Sequence, residues 1–567
     1  MKRTTRRRGE KEYTYLSLVE SVRVNGKKTH ETLLRLGEIG ELERSGQLDR
    51  IVAALSSYTE RHWIAAEDVE GAGAPSFGAV AAIASYFDRL GLRDHFSGVG
   101  DKRRSKNLSD TVFVMTANRL LDPTSKRRTI LEWLSSVALP EGTASPLLDQ
   151  CYRGIDAICD EKENTEELLY GRLTDLSNLD LRLALYDLTS TYFETSNGPT
   201  EEFRSRAYGY SRDHRGDRPQ VVIGLLVTGN GIPIAHYVFK GNTSDVTTLS
   251  EVMADYQHRF GVGRIALVCD RGLISEKNLE DVERAGFDHV LATRLHHDDD
   301  VAAVLEVAAS ANDDAWVIVP GQQGTKALEV PFDARRFVVV SSTERKVRDD
   351  RRREELLERT EQRLIALAER VRSGKLADPA KIGAKADRIL RDSGVARCFA
   401  TTIRQGHFSW GYDEGALEYE ENLLAGRYVL TTSLSAEQAS VVDVVRHYKM
   451  LKNVEHRFKV MKDFLGLRPV HHRTEDRVRG HIALCVIAAV IEAVMGNDLE
   501  QAGVKDPDLP EQTMTPRRAL AELGTIRLHK LNAGRRIELV DRPTKLQQQV
   551  LAAFGVDASA WSRAKIS

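Results

Sequence analysis

The pattern of apolar and polar positions changes character several times along the 567 residues. Residues 12–36 read as two strands, YTYLSLVESVRV and its continuation, with Asn25-Gly26 between them as a two-residue hairpin signal. Residues 44–66 look helical, and the GAGAP stretch at 71–75 has the composition of a linker. Residues 78–178 read as mostly helical, with breaks near 98–100, 122–123 and 140–146.

From 181 onward the reading is of strands. LRLALYDLT (181–189), 221–228 and 232–239 form three candidates, the last two joined by the turn Gly229-Asn230-Gly231. A helix at about 244–260 follows, then RIALVCD (264–270), a helix from about Ser275 and a strand at 289–294. Three meandering strands, a helix, then strand–helix–strand is the order of a ribonuclease H-like α/β sheet, an analogy at the level of fold that does not fix function. Residues 297–434 read as a separate block: strands at 316–319 and 336–341, a highly charged helix over about 344–373, then strands at 397–403 and 427–432. Ser435 and Gln438 have capping-box spacing for a helix running to about Asp463. Helices at 475–496 and 514–524 precede a weakly patterned tail. The longest apolar run, 482–495, is broken by Glu492 and falls short of the ~20 residues of a membrane span, so a buried helix is expected.

Composition adds limits. The five cysteines are widely spaced without a CxxC pair, which predicts a reduced, cytoplasmic protein without a structural zinc site. Basic residues at Met1-Lys2-Arg3 have no apolar stretch behind them, so no signal peptide is expected. The net charge of −2 does not advertise nucleic acid, but basic residues cluster at Lys2 to Arg8 (Arg6, Arg7, Arg8), at Lys102 to Lys106 (Arg103, Arg104) and at Lys126 to Arg128 (Arg127). Such clusters suit phosphate contacts, and equally suit a solvated tail and solvated helix faces.

Two aspartates stand at the ends of apolar strand candidates, Asp187 and Asp270. Buried carboxylates are seldom unpaired. Neighbouring strands would bring the two together, and a divalent ion bound by hard oxygen ligands would remove their repulsion. Each could instead cap the turn that follows it. In 436–463, Tyr448, Glu455 and Lys462 recur every seven residues and so share a helical stripe, which is also what an ordinary helix with solvated charges offers. Trp316 or Trp410 could stack on a flipped base, although a strand tryptophan ordinarily packs. The run His296 to Asp300 lacks ligand spacing and reads as a polar loop.

The segment from Tyr448 to Lys462 resembles the Tyr-Arg-Glu-Lys signature of a large group of bacterial insertion-sequence transposases: Tyr, two residues, Arg, three residues, Glu, six residues, Lys. Tyr448, Glu455 and Lys462 match, whereas Leu451 stands at the arginine position with Lys452 beside it. The resemblance extends over Asp187-Leu188-Thr189, 209–215, 241–245, Cys269 to Gly272, 467–472 and Gly480-His481, and includes the hairpin at 15–37.

That resemblance implies a catalytic triad of Asp187, Asp270 and Glu455 holding two Mg2+ ions, with Mn2+ able to substitute. It also implies DNA contacts near the site from Tyr448, Lys452, Lys462, Thr189 and Arg271. The organisation it implies is a hairpin and helix at 1–70 for DNA binding, a helical region at 78–178 for DNA binding or dimerisation, a ribonuclease H-like core at 180–296 and 435–500, an insertion domain at 297–434 and a tail at 501–567. The partners are double-stranded DNA, both terminal inverted repeats and target, and a second copy of the chain in the synaptic complex, with no membrane; the location is cytoplasmic and nucleoid-associated. The alternatives are a ribonuclease H-like nuclease without strand transfer and a transposase-derived DNA-binding protein without chemistry.

Overall fold

The structure is a computed structural model, and it describes every residue except 25–26, 57, 59–68, 101, 178–182, 196–197, 199, 201–202, 245–246, 261–265, 270–275, 294, 296–298, 334, 405, 533–535, 560, 562–564 and 567. The chain divides into two compact units.

The first unit comprises 1–76, 526–543 and 558–567. Strands β1 (Lys2–Arg8), β2 (Lys11–Val24) and β3 (Lys27–Glu38) form an antiparallel sheet. The basic start is therefore a strand rather than a tail: Gly9 takes the positive φ of a tight turn, and Arg6, Arg7 and Arg8 pair with Tyr13, Glu12 and Lys11. The expected Asn25-Gly26 turn lies outside the described residues. Two helices, Ile39–Arg44 and Gln47–Ser56, follow β3, and Glu38 caps the first through the backbone amides of Gly40 and Glu41. Strand β4 (Glu70–Gly71) joins a second small sheet near the C-terminus, where a patternless tail was expected.

The second unit, 77–525 with 544–557, carries the larger sheet. Its strands are β5 (Leu183–Tyr192), β6 (Gln220–Thr228), β7 (Pro233–Lys240), β8 (Ala266–Cys269), β9 (Asp288–Ala292), β10 (Val317–Ile318), β11 (Thr325–Phe332), β12 (Arg335–Ser342) and β15 (Arg427–Thr432). Strands β13 (Phe399–Arg404) and β14 (His407–Tyr412) pair separately. The small sheet of the first unit is completed by β16 (Leu528–Asn532), β17 (Arg536–Val540) and β18 (Lys565–Ile566).

The order across the large sheet is β10-β11-β12-β15-β9-β8-β5-β6-β7. Strands β5, β6 and β7 are an antiparallel meander, β8 runs parallel to β5, and β9 parallel to β8. Where a separate block was expected, β15, β12, β11 and β10 continue the same sheet antiparallel from β9. The reading missed β11 and β14 because their apolar runs are short and interrupted by Lys326, Glu329 and Gly411. All nine residues of β6 are buried, which is the continuous apolar run of a strand covered on both faces.

Among the described residues, seven α-helices lie between Gly78 and Ser177, and the long helix Glu475–Gln501 packs against two of them, Lys102–Leu121 and Leu148–Asp160. Glu475–Gln501 is long and apolar enough to cross a membrane, yet 83% of its most apolar stretch is buried inside the protein, as a core helix is. It crosses the helix Leu148–Asp160 at Gly480, where an added Cβ would lie 2.2 Å from the Ile155 carbonyl oxygen. Glu166 links the helices to the sheet edge. Its carboxylate meets His236 Nδ1 at 2.7 Å on β7, Arg259 at 2.9 Å and Lys162 at 3.0 Å. Burial alone would raise the pKa of Glu166, but these partners bring it down to about 2. His236 is itself pushed down by burial and stays neutral near pH 7, so the lasting positive charge beside Glu166 belongs to Arg259 and Lys162.

Two outcomes follow. Gly480→Ala should force the two helices apart and destabilise the protein by roughly 3 kcal/mol in urea unfolding; a loss below ~1 kcal/mol would mean the crossing relaxes freely. The folded pKa of Glu166 lies below its ordinary value of 4.5, so its contribution is complete above about pH 5 and is lost as pH falls towards 2. Glu166→Gln should accordingly lower stability at pH 7 and flatten the acid limb of the stability curve between pH 5 and 2.

Candidate active site

In β5 the burial pattern breaks at one interior position, Asp187, which is half-buried between fully buried neighbours. The aspartate does not end its strand, as expected, but stands mid-strand, with Leu188 N–H donating to its Oδ1 at 2.7 Å. On the parallel neighbour β8, Cys269 stands opposite Tyr186, the residue before Asp187. Asp270 and Arg271, next in sequence, lie outside the described residues. Thr189, two residues along β5, shares the face of Asp187.

The helix expected over 436–463 is three pieces. Ser435 and Gln438 do exchange capping-box hydrogen bonds, but they close a turn; the helix starts at Val441, capped by Ser440 and Asp443. Val441–Lys449 ends at Met450, Leu451–Lys459 follows, and a π-turn over Val460–Phe464 closes with Leu465 N–H bonding the Val460 carbonyl. Tyr448 is thus on the far side of the Met450 break from Glu455, and its ring packs 5.7 Å from that of Tyr428 on β15.

Glu455 is exposed, while Val454, Arg457 and Phe458 are buried. Two residues turn a helix by about 200°, so Glu455 and Arg457 face opposite ways. Arg457 points inward and pairs with Glu492 of the long helix, both nearly buried. This accounts for the one acid in the apolar run. Asn453 adds a second fastening, donating to the Gly229 carbonyl in the β6–β7 turn at 2.8 Å.

Asp187 and Glu455 line one cleft of about 320 Å³, together with Thr189, Arg212, Asp213, Lys459, Lys462 and Arg468. Tyr448 and Lys452 are not among its lining residues; Lys452 is exposed on the same helix. Lys462 reaches the cleft, but its ammonium is 2.7 Å from Asp213 Oδ1, which also receives Arg468 at 2.6 Å. Burial lowers the Lys462 pKa, with Asp213 opposing the shift. Arg212, Asp213, Lys459 and Arg468 were not singled out as site residues, although Arg212 and Asp213 lie in the 209–215 stretch that carried the family resemblance. Among the described residues no group of three or more His, Cys, Asp or Glu side chains is placed to hold a metal ion.

The remaining expected contacts scatter. Arg6, Arg7 and Arg8 are exposed on β1, and Arg127 is exposed on a short turn of helix in the second unit. The side chains of Arg103 and Arg104 lie outside the described set. Trp316 and Trp410 pack on apolar clusters, Trp410 against Phe399 and Tyr412. His296, His297 and Asp298 are outside the described residues.

Residues 187–491 match the family model described as "Transposase DDE domain", more than half of the chain. The chain belongs to the DDE transposase family. Residues 1–68 match "IS1634 family transposase, N-terminal domain", which makes this an insertion-sequence transposase, an enzyme of the DDE type. A comparison with curated proteins finds no match. Among solved structures, the chain is similar to one titled "Cryo-EM structure of piggyBac transposase synaptic complex with hairpin DNA (SNHP)", at 10% identity over 79% of this chain and 76% of that one, with a TM-score of 0.35. The family implies dependence on a divalent metal.

The Arg457–Glu492 pair generates a prediction. Glu492→Ala strands a buried guanidinium and should cost ~3–5 kcal/mol, and the double change Arg457→Met with Glu492→Leu should recover most of that loss. Chemical denaturation of the two variants checks it; equal losses would mean that the two side chains are not coupled.

Proposed function

We propose that this transposase binds the terminal inverted repeats of its own insertion sequence, cleaves the DNA at the element ends and joins the 3′ ends to target DNA, with Asp187, Asp270 and Glu455 as its carboxylate triad. The observation that carries this reading is that Asp187 and Glu455, from distant parts of the chain, line the same cleft. The parallel ladder running up to Tyr186 and Cys269 supports adding Asp270, the residue after β8. The strand order β7-β6-β5-β8-β9 supports a ribonuclease H-like core. Membership of the Tyr-Arg-Glu-Lys group rests on Tyr448, Glu455 and Lys462 in the sequence.

The donors suit a hard divalent ion. They are carboxylate oxygens at an open cleft, and Glu455 makes no ion pair with any described residue. Two Mg2+ ions there, or Mn2+ in their place, would activate the attacking oxygen and stabilise the leaving one during in-line displacement at phosphorus. The chain's own cations do the rest. Lys459 and Arg212 border the cleft and attract the phosphodiester, and Lys462 and Arg468 can exchange Asp213 for a phosphate oxygen as the strand enters. Tyr448 and Lys452 are proposed to contact DNA outside the cleft lining, Thr189 within it, and Arg271 near the carboxylates. The exposed Arg6, Arg7 and Arg8 of β1 and the cations Arg103, Arg104 and Arg127 supply sequence-independent affinity. Two ends must be cut in concert, so the working form is a homodimer on DNA, acting in the bacterial cytoplasm at the nucleoid.

Purified protein incubated with labelled element ends and Mg2+ tests this. Asp187→Ala, Asp270→Ala and Glu455→Ala should each abolish cleavage and strand transfer and leave end binding largely unchanged, because affinity comes mostly from phosphate contacts elsewhere. Full cleavage by Glu455→Ala would remove the third ligand from the proposal. Cleavage without any joined product would favour a nuclease over a transposase.

A further inference from the structure

The second unit holds a larger concavity than the carboxylate cleft, about 590 Å³, and no acidic side chain lines it. It lies between the end of the helix Lys102–Leu121, the turn at Lys126, the loop 466–474 and the first turns of Glu475–Gln501. We propose that this pocket is a phosphate-binding site that seats a backbone or terminal phosphate of the DNA strand leading into the carboxylate cleft. The proposal rests on the DNA-cleaving function argued above.

Two of its cations are buried without compensation. Lys126 is 6% exposed and Arg119 5%. Among the described residues no carboxylate comes within ion-pair distance of either. Arg119 spends its donors on the carbonyls of Leu465, Gly466 and Thr124, and its Nε has no partner. The Lys126 side chain makes no hydrogen bond to a described residue. Beside them is His481, 5% exposed, whose Nε2 meets the Leu467 carbonyl while Nδ1 is left without a partner. Its ring lies 5.4 Å from that of His472.

An uncompensated buried ammonium costs several kcal/mol unless something offsets it. Several other buried charges have their opposites: Arg457 has Glu492, Lys462 has Asp213, and Arg259 has Glu166, whereas Arg206 is held by the Gly198 carbonyl. Only an incoming anion supplies the counter-charge here. Phosphate oxygens also accept from the Lys126 ammonium and from the spare Nε–H of Arg119. Arg468 lines both this pocket and the carboxylate cleft, so a strand held in one is directed into the other. Gly466 makes the junction, since an added Cβ would press within 3.0 Å of both Arg119 and Pro123.

Protonation supports the same reading. Burial and Arg119 bring Lys126 down to about 7, with Cys485 and Cys151 opposing; His472 is pushed down to about 3, and His481 well below its ordinary range. An anion in the pocket favours the charged lysine. Binding above pH 7 therefore takes up a proton, and affinity for a phosphodiester falls as pH rises from 7 to 9.

The test uses Lys126→Met in the full chain, a change that keeps the volume and removes the stranded charge. The folded protein should be as stable as the parent or more so, whereas a lysine that serves packing or structure would leave a less stable variant. Inorganic phosphate should raise the parent's melting temperature above that in chloride at equal ionic strength, and the variant should lose this increment. Affinity for an element end should fall by roughly tenfold or more, with a shallower salt dependence. Lys126→Arg should restore part of it. Ends with a continuous strand, with a 5′-phosphate and with a 5′-hydroxyl separate the sources: equal loss on all three assigns an internal phosphodiester, and loss only on the 5′-phosphate assigns a terminal one. If Lys126→Met fails to fold, the proposal is overturned as far as Lys126 is concerned, and the exposed lining residue Arg473, changed to Ala, reads the pocket itself through the phosphate increment. An unaltered increment and unaltered DNA affinity overturn the site. The phosphate measurement needs no cleavage, so its failure is distinct from failure of the carboxylate assignment, which the alanine variants of the triad report.

Discussion

The carboxylate cleft depends on how one short helix is rotated about its axis, and a buried ion pair sets that rotation. Arg457 reaches Glu492 in the interior of the protein, where neither charge has water to fall back on. Such a pair contributes little net stability compared with apolar residues of the same volume. What it does supply is orientation. Turning the helix by one residue would leave two opposite charges buried and separated, so alternative rotations are strongly disfavoured. With Arg457 held inward, Glu455 can only face outward, on the side of β5 and Asp187. Val454 and Phe458 fill the flanks of the same face with apolar volume.

Much of this was legible from the residues. Strands β5 to β9 appear in the sequence as compact apolar runs bounded by Gly and Asp, and the strand order follows from their sequence of connections. Asp187 is conspicuous because a charged residue interrupts such a run. Glu492 is conspicuous for the same reason, but nothing in a one-dimensional pattern says that its partner is Arg457, 35 residues earlier. The helix break at Met450 was not legible either. Leu, Lys, Asn and Val around it are ordinary helix residues, and Asn453 just beyond it is fastened to the β6–β7 turn. A stripe argument that treats 436–463 as one rod therefore does not carry across Met450 to Tyr448, whereas Lys452 stays on the helix of Glu455. The cations that do border the cleft come partly from a loop, Arg212 and Arg468 among them, and loops carry no period from which a facing direction can be read.

Polar groups inside the second unit fall into two kinds. The Glu166 cluster, Arg457 with Glu492 and Asp213 with its two cations are closed sets, in which each charge meets its opposite. Lys126 and Arg119 are an open set. Closed sets specify a unique packing, whereas an open one stores an imbalance that only a ligand resolves. The contrast explains why stability and function need not respond together when such residues are changed.

The run of hydrogen-bonded strands from β7 to β10 has a mechanical consequence. Residues 317–342 and 427–432, between Asp270 and Glu455 in sequence, are stitched into the sheet that carries Asp187. Swinging β12 away would break the ladder to β15 and then that to β9. Outside the sheet stand the 30-residue helix Thr343–Arg372 and the β13–β14 hairpin, which share a small apolar core of their own. The long helix joins the sheet where the Ser342 N–H bonds the Gly426 carbonyl and where Asp349 accepts from the Gly426 amide, so any load on the helix and hairpin is delivered to the end of β12 and the start of β15.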